Sequence, residues 1–120
     1  MRSLQRAGLL VLTLLLALAP AAAVRGAGPS LTEEQLLEKI ERGGTAEDHA
    51  ALASYYRAQA KAMEEKAALH ETMATKYATA GKGDWPTHCR NLASYYGKLA
   101  TEYEDLAKLH DARAAELRGK

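Results

Sequence analysis

The chain has no phenylalanine, one tryptophan and one cysteine. Without Phe, and with alanine supplying much of the apolar content after the first residues, its core is expected to be thin. A small domain with a thin core often takes support from a second chain, a metal or a disulfide. The single Cys89 makes no internal disulfide, so it is free, bound to a ligand or joined to another chain. No Cys-x-x-Cys-His occurs, which excludes covalent haem of the c type. Gly81-Lys82-Gly83 lacks the rest of a phosphate loop. No serine or cysteine stands in a nucleophile elbow. His70-Glu71-Thr72-Met73-Ala74 begins like a zinc-protease helix, but Ala74 occupies the place of the second histidine. With no acid–base or nucleophile constellation, the chain reads as a non-enzyme. Its formal charge is +1 with both signs interspersed. No basic patch suits nucleic acid and no acidic tail suits a basic partner.

The one long apolar run is at the front. Arg2 and Arg6 precede it, Ala7 to Ala19 carries no charge, Pro20 breaks it, and Ala21-Ala22-Ala23 offers a small-x-small cleavage pattern. Residues 1–23 therefore read as a secretory signal peptide and are set apart from the fold. Cleavage after Ala27 is the alternative. An uncleaved anchor fits less well, because a bilayer span needs about 20 apolar residues. No cysteine follows the run to carry a lipid. The expected product is exported, to the periplasm or the extracellular space, with no stable membrane span once the signal is removed. Residues 24–30 are expected as a flexible mature N-terminus and 31–120 as a single helical domain. Losing Arg2 and Arg6 takes the formal charge from +1 to about −1.

The domain is predicted all-α, with helices over about 31–42, 45–79 and 86–118. Ser30 and Glu33 match a capping box for the first. Leu36, Leu37 and Ile40 give it an apolar edge, and Gly43-Gly44 ends it. Thr45 caps the second, with Asp48 three residues on, and neither Gly nor Pro interrupts the chain from Thr45 to Ala80. A turn over 80–86 leads to the third helix, with Asp84 as its cap and Pro86 in its first turn. Gly97 is its one weak point. So short a turn makes the two long helices an antiparallel hairpin, with the short helix packed on it.

The long helices repeat one another. Ser54-Tyr55-Tyr56 recurs as Ser94-Tyr95-Tyr96, and Leu69-His70 as Leu109-His110, both at an offset of 40. One heptad stripe reads His49, Tyr56, Met63, His70, Tyr77, and its counterpart reads Cys89, Tyr96, Tyr103, His110, Leu117. Four residues after the stripe positions stand Ala53, Ala60, Ala67 and Ala74, then Ala93, Ala100, Ala107 and Ala114. Small side chains allow close approach, toward the low end of the usual ~8–10 Å between helix axes. Leu92, Leu99 and Leu106 look like conventional core, whereas their counterparts Leu52, Gln59, Lys66 and Met73 are less apolar. Tyr55 and Tyr95 are expected to pack beside the seam, and Trp85 to cover the hairpin end.

Residues at one height of an antiparallel hairpin have numbers of constant sum, here about 166. Tyr56 then faces His110, His70 faces Tyr96, Met63 faces Tyr103, and Tyr77 faces Cys89. The predicted result is a structural polar seam of Tyr56, Met63, Tyr77, Tyr96 and Tyr103 with the histidines. Imidazole and phenol would satisfy one another, because burying either alone is costly.

A second reading of the stripe is a metal site. His, Met and Cys form a copper-type ligand set, with zinc less favoured. The candidate ligands are His70, Met73, His88 and Cys89. His70 and His88 differ in height by about 12 Å in an ideal hairpin, at about 1.5 Å per residue. One site using both therefore needs a bent turn or a second subunit. His49 and His110, with Asp48 or Asp111 beside them, are a second candidate pair. Haem held by His and Met between helices finds little room beside an alanine seam. One hairpin exposes more apolar edge than the short helix can cover, so a homodimer is expected, a four-helix bundle made from two hairpins.

Overall fold

A computed structural model describes residues 30–120. The signal peptide expected over 1–23, and nearly all of the mature N-terminus expected over 24–30, lie outside the described residues. Three helices follow: α1 (Glu33–Glu41), α2 (Ala46–Thr79) and α3 (Trp85–Arg118).

The capping box of α1 is Thr32 with Gln35, two residues later than the Ser30 and Glu33 expected. Gln35 N–H donates to Thr32 Oγ1 at 3.3 Å, and Thr32 N–H donates to Gln35 Oε1 at 2.9 Å. Thr32 has the extended backbone that an N-cap needs. Both residue pairs fit the sequence pattern, and the backbone selects the later one. For α2 the Thr45–Asp48 box is present: Asp48 N–H donates to Thr45 Oγ1 at 3.2 Å, and Thr45 N–H donates to Asp48 Oδ2 at 3.0 Å. The Thr45 bonds hold the Asp48 carboxyl below its usual range. Asp84 departs from expectation. It makes no capping bond to α3, and its carboxylate lies 3.5 Å from His88 Nε2 instead. Pro86 sits in the first turn of α3, where its missing N–H costs nothing.

The turn between α2 and α3 is a Schellman closure: Lys82 N–H donates to Tyr77 C=O at 3.0 Å and Gly81 N–H to Ala78 C=O at 3.2 Å. It requires the left-handed backbone that Gly81 adopts at φ +64. The reversal lays α3 antiparallel on α2, each helix 34 residues and so about 51 Å long.

The hairpin contact is the alanine seam. Seven of its eight alanines are buried and Ala67 is half-buried. With only a methyl at each contact, the backbones approach closely and little volume is left between them. The larger side chains gather at the open end. There Leu36 of α1, Leu52, Ala53 and Tyr56 of α2, and Ala107 of α3 form the core cluster, with Ile40, Tyr55 and Tyr103 packed against it. Leu52 is fully sealed.

The leucine row of α3 overturns a further expectation. Leu92, Leu99 and Leu106 are not core; they are 41 %, 41 % and 38 % exposed. Each precedes a buried alanine of the seam by one residue, which on a helix is a turn of about 100°. Two helices make a single line of contact, and a row this far from it needs a third helix to cover it.

Candidate functional site

The His/Tyr stripe does run along the inside of the hairpin, in the expected register. The Tyr56 and His110 ring centres are 5.8 Å apart, and those of His70 and Tyr96 5.5 Å apart, nearly parallel at 18°. Tyr103 stacks on Tyr56 at 5.8 Å, and Met63 is buried. The Tyr77 and Trp85 rings meet edge to face, with centres 5.2 Å apart and planes at 85°. Trp85 is still half open to solvent, with the Lys82 ammonium 5.7 Å from its ring centre.

The polar bookkeeping of the stripe differs from expectation. The rings of Tyr56 and His110, and of His70 and Tyr96, pack without a hydrogen bond between them. The Tyr56 hydroxyl donates to Glu33 Oε1 of α1 at 3.1 Å. Burial, reinforced by that bond to a carboxylate, pushes the Tyr56 phenol up to about 12. Burial and the Glu33 charge raise Tyr55 as well. His110 Nδ1 bonds to His49 Nδ1 at 2.9 Å. Burial lowers His110 below the usual imidazole range and the His49 charge adds to this, opposed by Asp111. His70 Nδ1 is buried and has no partner. Packing sets these choices. The stripe is narrow enough to place rings side by side, while α1 and the second histidine offer better-aligned polar atoms.

Of the candidate ligands, His70, His88 and Cys89 do not gather into one group. His70 and Met73 are half-buried on α2, and Cys89 is buried as a free thiol in the first turns of α3. His88 points into solvent beside Asp84. His49 and His110 do come together, as a pair bonded to one another. Among the described residues no three His, Cys, Asp or Glu side chains gather as a metal site. The physical reason is helical phase: His88 precedes Cys89 by one residue, so the two leave α3 in directions about 100° apart.

An ion pair from Arg57 to Asp111 ties α2 to α3 beside the histidine pair, and the bond to Asp111 raises Arg57. Sequence reasoning missed it, although its numbers nearly satisfy the constant-sum rule. It missed Glu33 as the tyrosine acceptor too, because nothing in the pattern of α1 sets its rotation on α2. A groove of about 420 Å³ beside α1 is lined by Leu31, Leu36, Tyr55 and Ala58 among others, and is mainly apolar. No helix among the described residues is long and apolar enough to cross a membrane. No protein-family model matches the chain, and no curated protein or solved structure matches it.

Proposed function

We propose that this chain is an exported, non-enzymatic helical interaction protein of the cell envelope. It works as a homodimer in which two hairpins make a four-helix bundle. The observation that carries the reading is the bare apolar row of α3: Leu92, Leu99 and Leu106, with Tyr95 and Leu109 beside them, all exposed. A contiguous apolar face on a small soluble domain marks a place where another surface docks. The leader pattern over 1–23 supports export, and the absence of a nucleophile or acid–base constellation in the sequence supports a non-catalytic role. Sedimentation equilibrium of the purified protein tests the assembly. A dimer at micromolar concentration is expected, and a stable monomer there overturns it.

A second reading, copper handling, has one observation in its favour. His70 Nδ1 is buried without a partner, and Met73 lies three residues on along α2. In that reading His70 and Met73 hold the ion, with Cys89 and His88 completing the set after rearrangement. Elemental analysis of untagged protein, followed by anaerobic Cu(I) titration, decides. Stoichiometric copper lost in His70→Ala and Cys89→Ser supports it; no retained metal and no tight binding rejects it.

A further inference from the structure

The internal repeat supplies a comparison within one molecule. Leu52-Ala53-Ser54-Tyr55-Tyr56 of α2 and Leu92-Ala93-Ser94-Tyr95-Tyr96 of α3 are the same motif. A helix covers the first copy: with α1 in place Leu52 is sealed and Tyr56 is buried. No helix among the described residues covers the second copy, where Leu92 is 41 % and Tyr95 63 % exposed. The bare face continues along α3 in two heptad lines, Leu92-Leu99-Leu106 and Tyr95-Glu102-Leu109. These lines have the a and d spacing of a helix–helix seam, and Glu102 is their one charged interruption.

We infer that this face receives α3 of a second copy, antiparallel, in the register where residue numbers on the two chains sum to about 201. The inference rests on the homodimer reading above. In this register Leu92 meets Leu109 of the second copy and Tyr95 meets Leu106, each pair occurring twice by two-fold symmetry. Leu99 meets Glu102. Lys98 stands within one residue of the height of Glu102 on the other chain, about 1.5 Å along the axis.

The competing register, one heptad shorter, sums to about 194. It pairs as many apolar side chains, Trp85 with Leu109 and Tyr95 with Leu99. Each register sets a leucine against Glu102, Leu99 in the first and Leu92 in the second, but the second leaves Lys98 about 9 Å along the axis from that carboxylate, at about 1.5 Å per residue. Charge therefore decides between them. Glu102 has no ion-pair partner among the described residues. The Lys98 ammonium lies 5.9 Å from the ring centre of Tyr95 on its own helix, at the edge of the same face. The register summing to about 201 gives both groups a partner on the other chain; it also brings the two Glu102 within three residues of one another in height, about 4.5 Å, with a Lys98 of the opposite chain beside each.

Charge reversal tests this. Lys98 and Glu102 are exposed, so the fold is expected to survive their substitution, with far-UV circular dichroism as the control. By sedimentation, Lys98→Glu and Glu102→Lys each weaken the dimer by about tenfold or more, since each change acts at two symmetric pairs. The double variant Lys98→Glu with Glu102→Lys recovers most of that loss. Leu99→Glu abolishes the dimer. Recovery in the double variant supports the register. If the single changes are silent, or the double variant fails to recover, the register is overturned. A wild-type dimer indifferent to Leu99→Glu overturns this docking face but leaves the homodimer reading standing. A wild-type monomer overturns both.

Discussion

His49 Nδ1 and His110 Nδ1 are 2.9 Å apart, while their ring centres are only 5.2 Å apart and their planes meet at 27°. Those values leave little more than one ring radius on each side, so centre, nitrogen, nitrogen and centre lie almost on one line. The rings meet edge to edge and do not stack face on face. One Nδ1–H donates to the lone pair of the other Nδ1, and the pair joins the start of α2 to the end of α3.

Such a pair holds one bridging proton, and two protonated rings repel. His110 is lowered in the folded state, by burial first and by His49 second. Its neutral form is therefore the one that folding favours. The associated stability is fully present above the ordinary imidazole value of about 6.5 and is lost as pH falls through the lowered folded value. The melting temperature is expected to fall between pH 7 and pH 5. Asp48, held below the usual carboxylate range by Thr45, and Arg57, raised by its bond to Asp111, keep their charges over that range. His110→Leu should flatten the profile. An unchanged slope in His110→Leu would show that the acid sensitivity arises elsewhere.

The alanine seam makes a steric prediction. Ala107 is completely buried where α3 meets α2, and its neighbours are close-packed. Ala107→Leu adds three carbons to a space with none to spare and should cost about 1–3 kcal/mol. Ala68→Leu, on the exposed side of α2, should stay within about 0.5 kcal/mol. Urea unfolding monitored by helical circular dichroism measures both. Equal midpoints would mean that the backbones are not in close contact.

The hairpin, its turn and its register could be read in the sequence because each depends on local chemistry. Gly81 closes α2, Thr45 and Asp48 open it, and the heptad phase of the alanines sets the facing residues. The rotation of α1 could not be read, since nine residues with a Leu-Ile edge fit several orientations. The pairing of Tyr56 with Glu33 and the sealing of Leu52 depend on that orientation. Nor does a leucine row reveal how many helices surround it. Leu92, Leu99 and Leu106 have the same period in a two-helix hairpin as in a three-helix core. Only the absence of a covering helix among the described residues leaves them exposed. The candidate ligands fared similarly. Heptad spacing placed His70 and Cys89 on the inner stripe, but His88, one residue from Cys89, faces solvent.

The repeat allows a matched pair of substitutions. Leu52 and Leu92 occupy equivalent places, and α1 packs over the first alone. Leu52→Ala should cost about 2–5 kcal/mol, the usual range for a sealed leucine. Leu92→Ala should cost much less when unfolding is measured at dilutions where the chain is monomeric. Similar losses at both positions would show that α1 contributes little to burying Leu52.

Tyr56 makes the last prediction. Its hydroxyl donates to Glu33, and its phenol is raised to about 12 by burial first and by that bond second. The folded value lies above the ordinary value of about 10, so folding favours the protonated phenol. That stability is complete below pH 10 and is lost as pH rises through about 12. Ultraviolet titration should therefore show a late tyrosine step near pH 12, with unfolding accompanying it. Tyr56→Phe keeps the ring contacts with Tyr103 and His110 but leaves Glu33 without its donor. It should cost about 0.5–1.5 kcal/mol at neutral pH and remove the late step. A late phenol that survives Tyr56→Phe would reassign it, with Tyr55, the other tyrosine raised by burial and Glu33, as the group to examine.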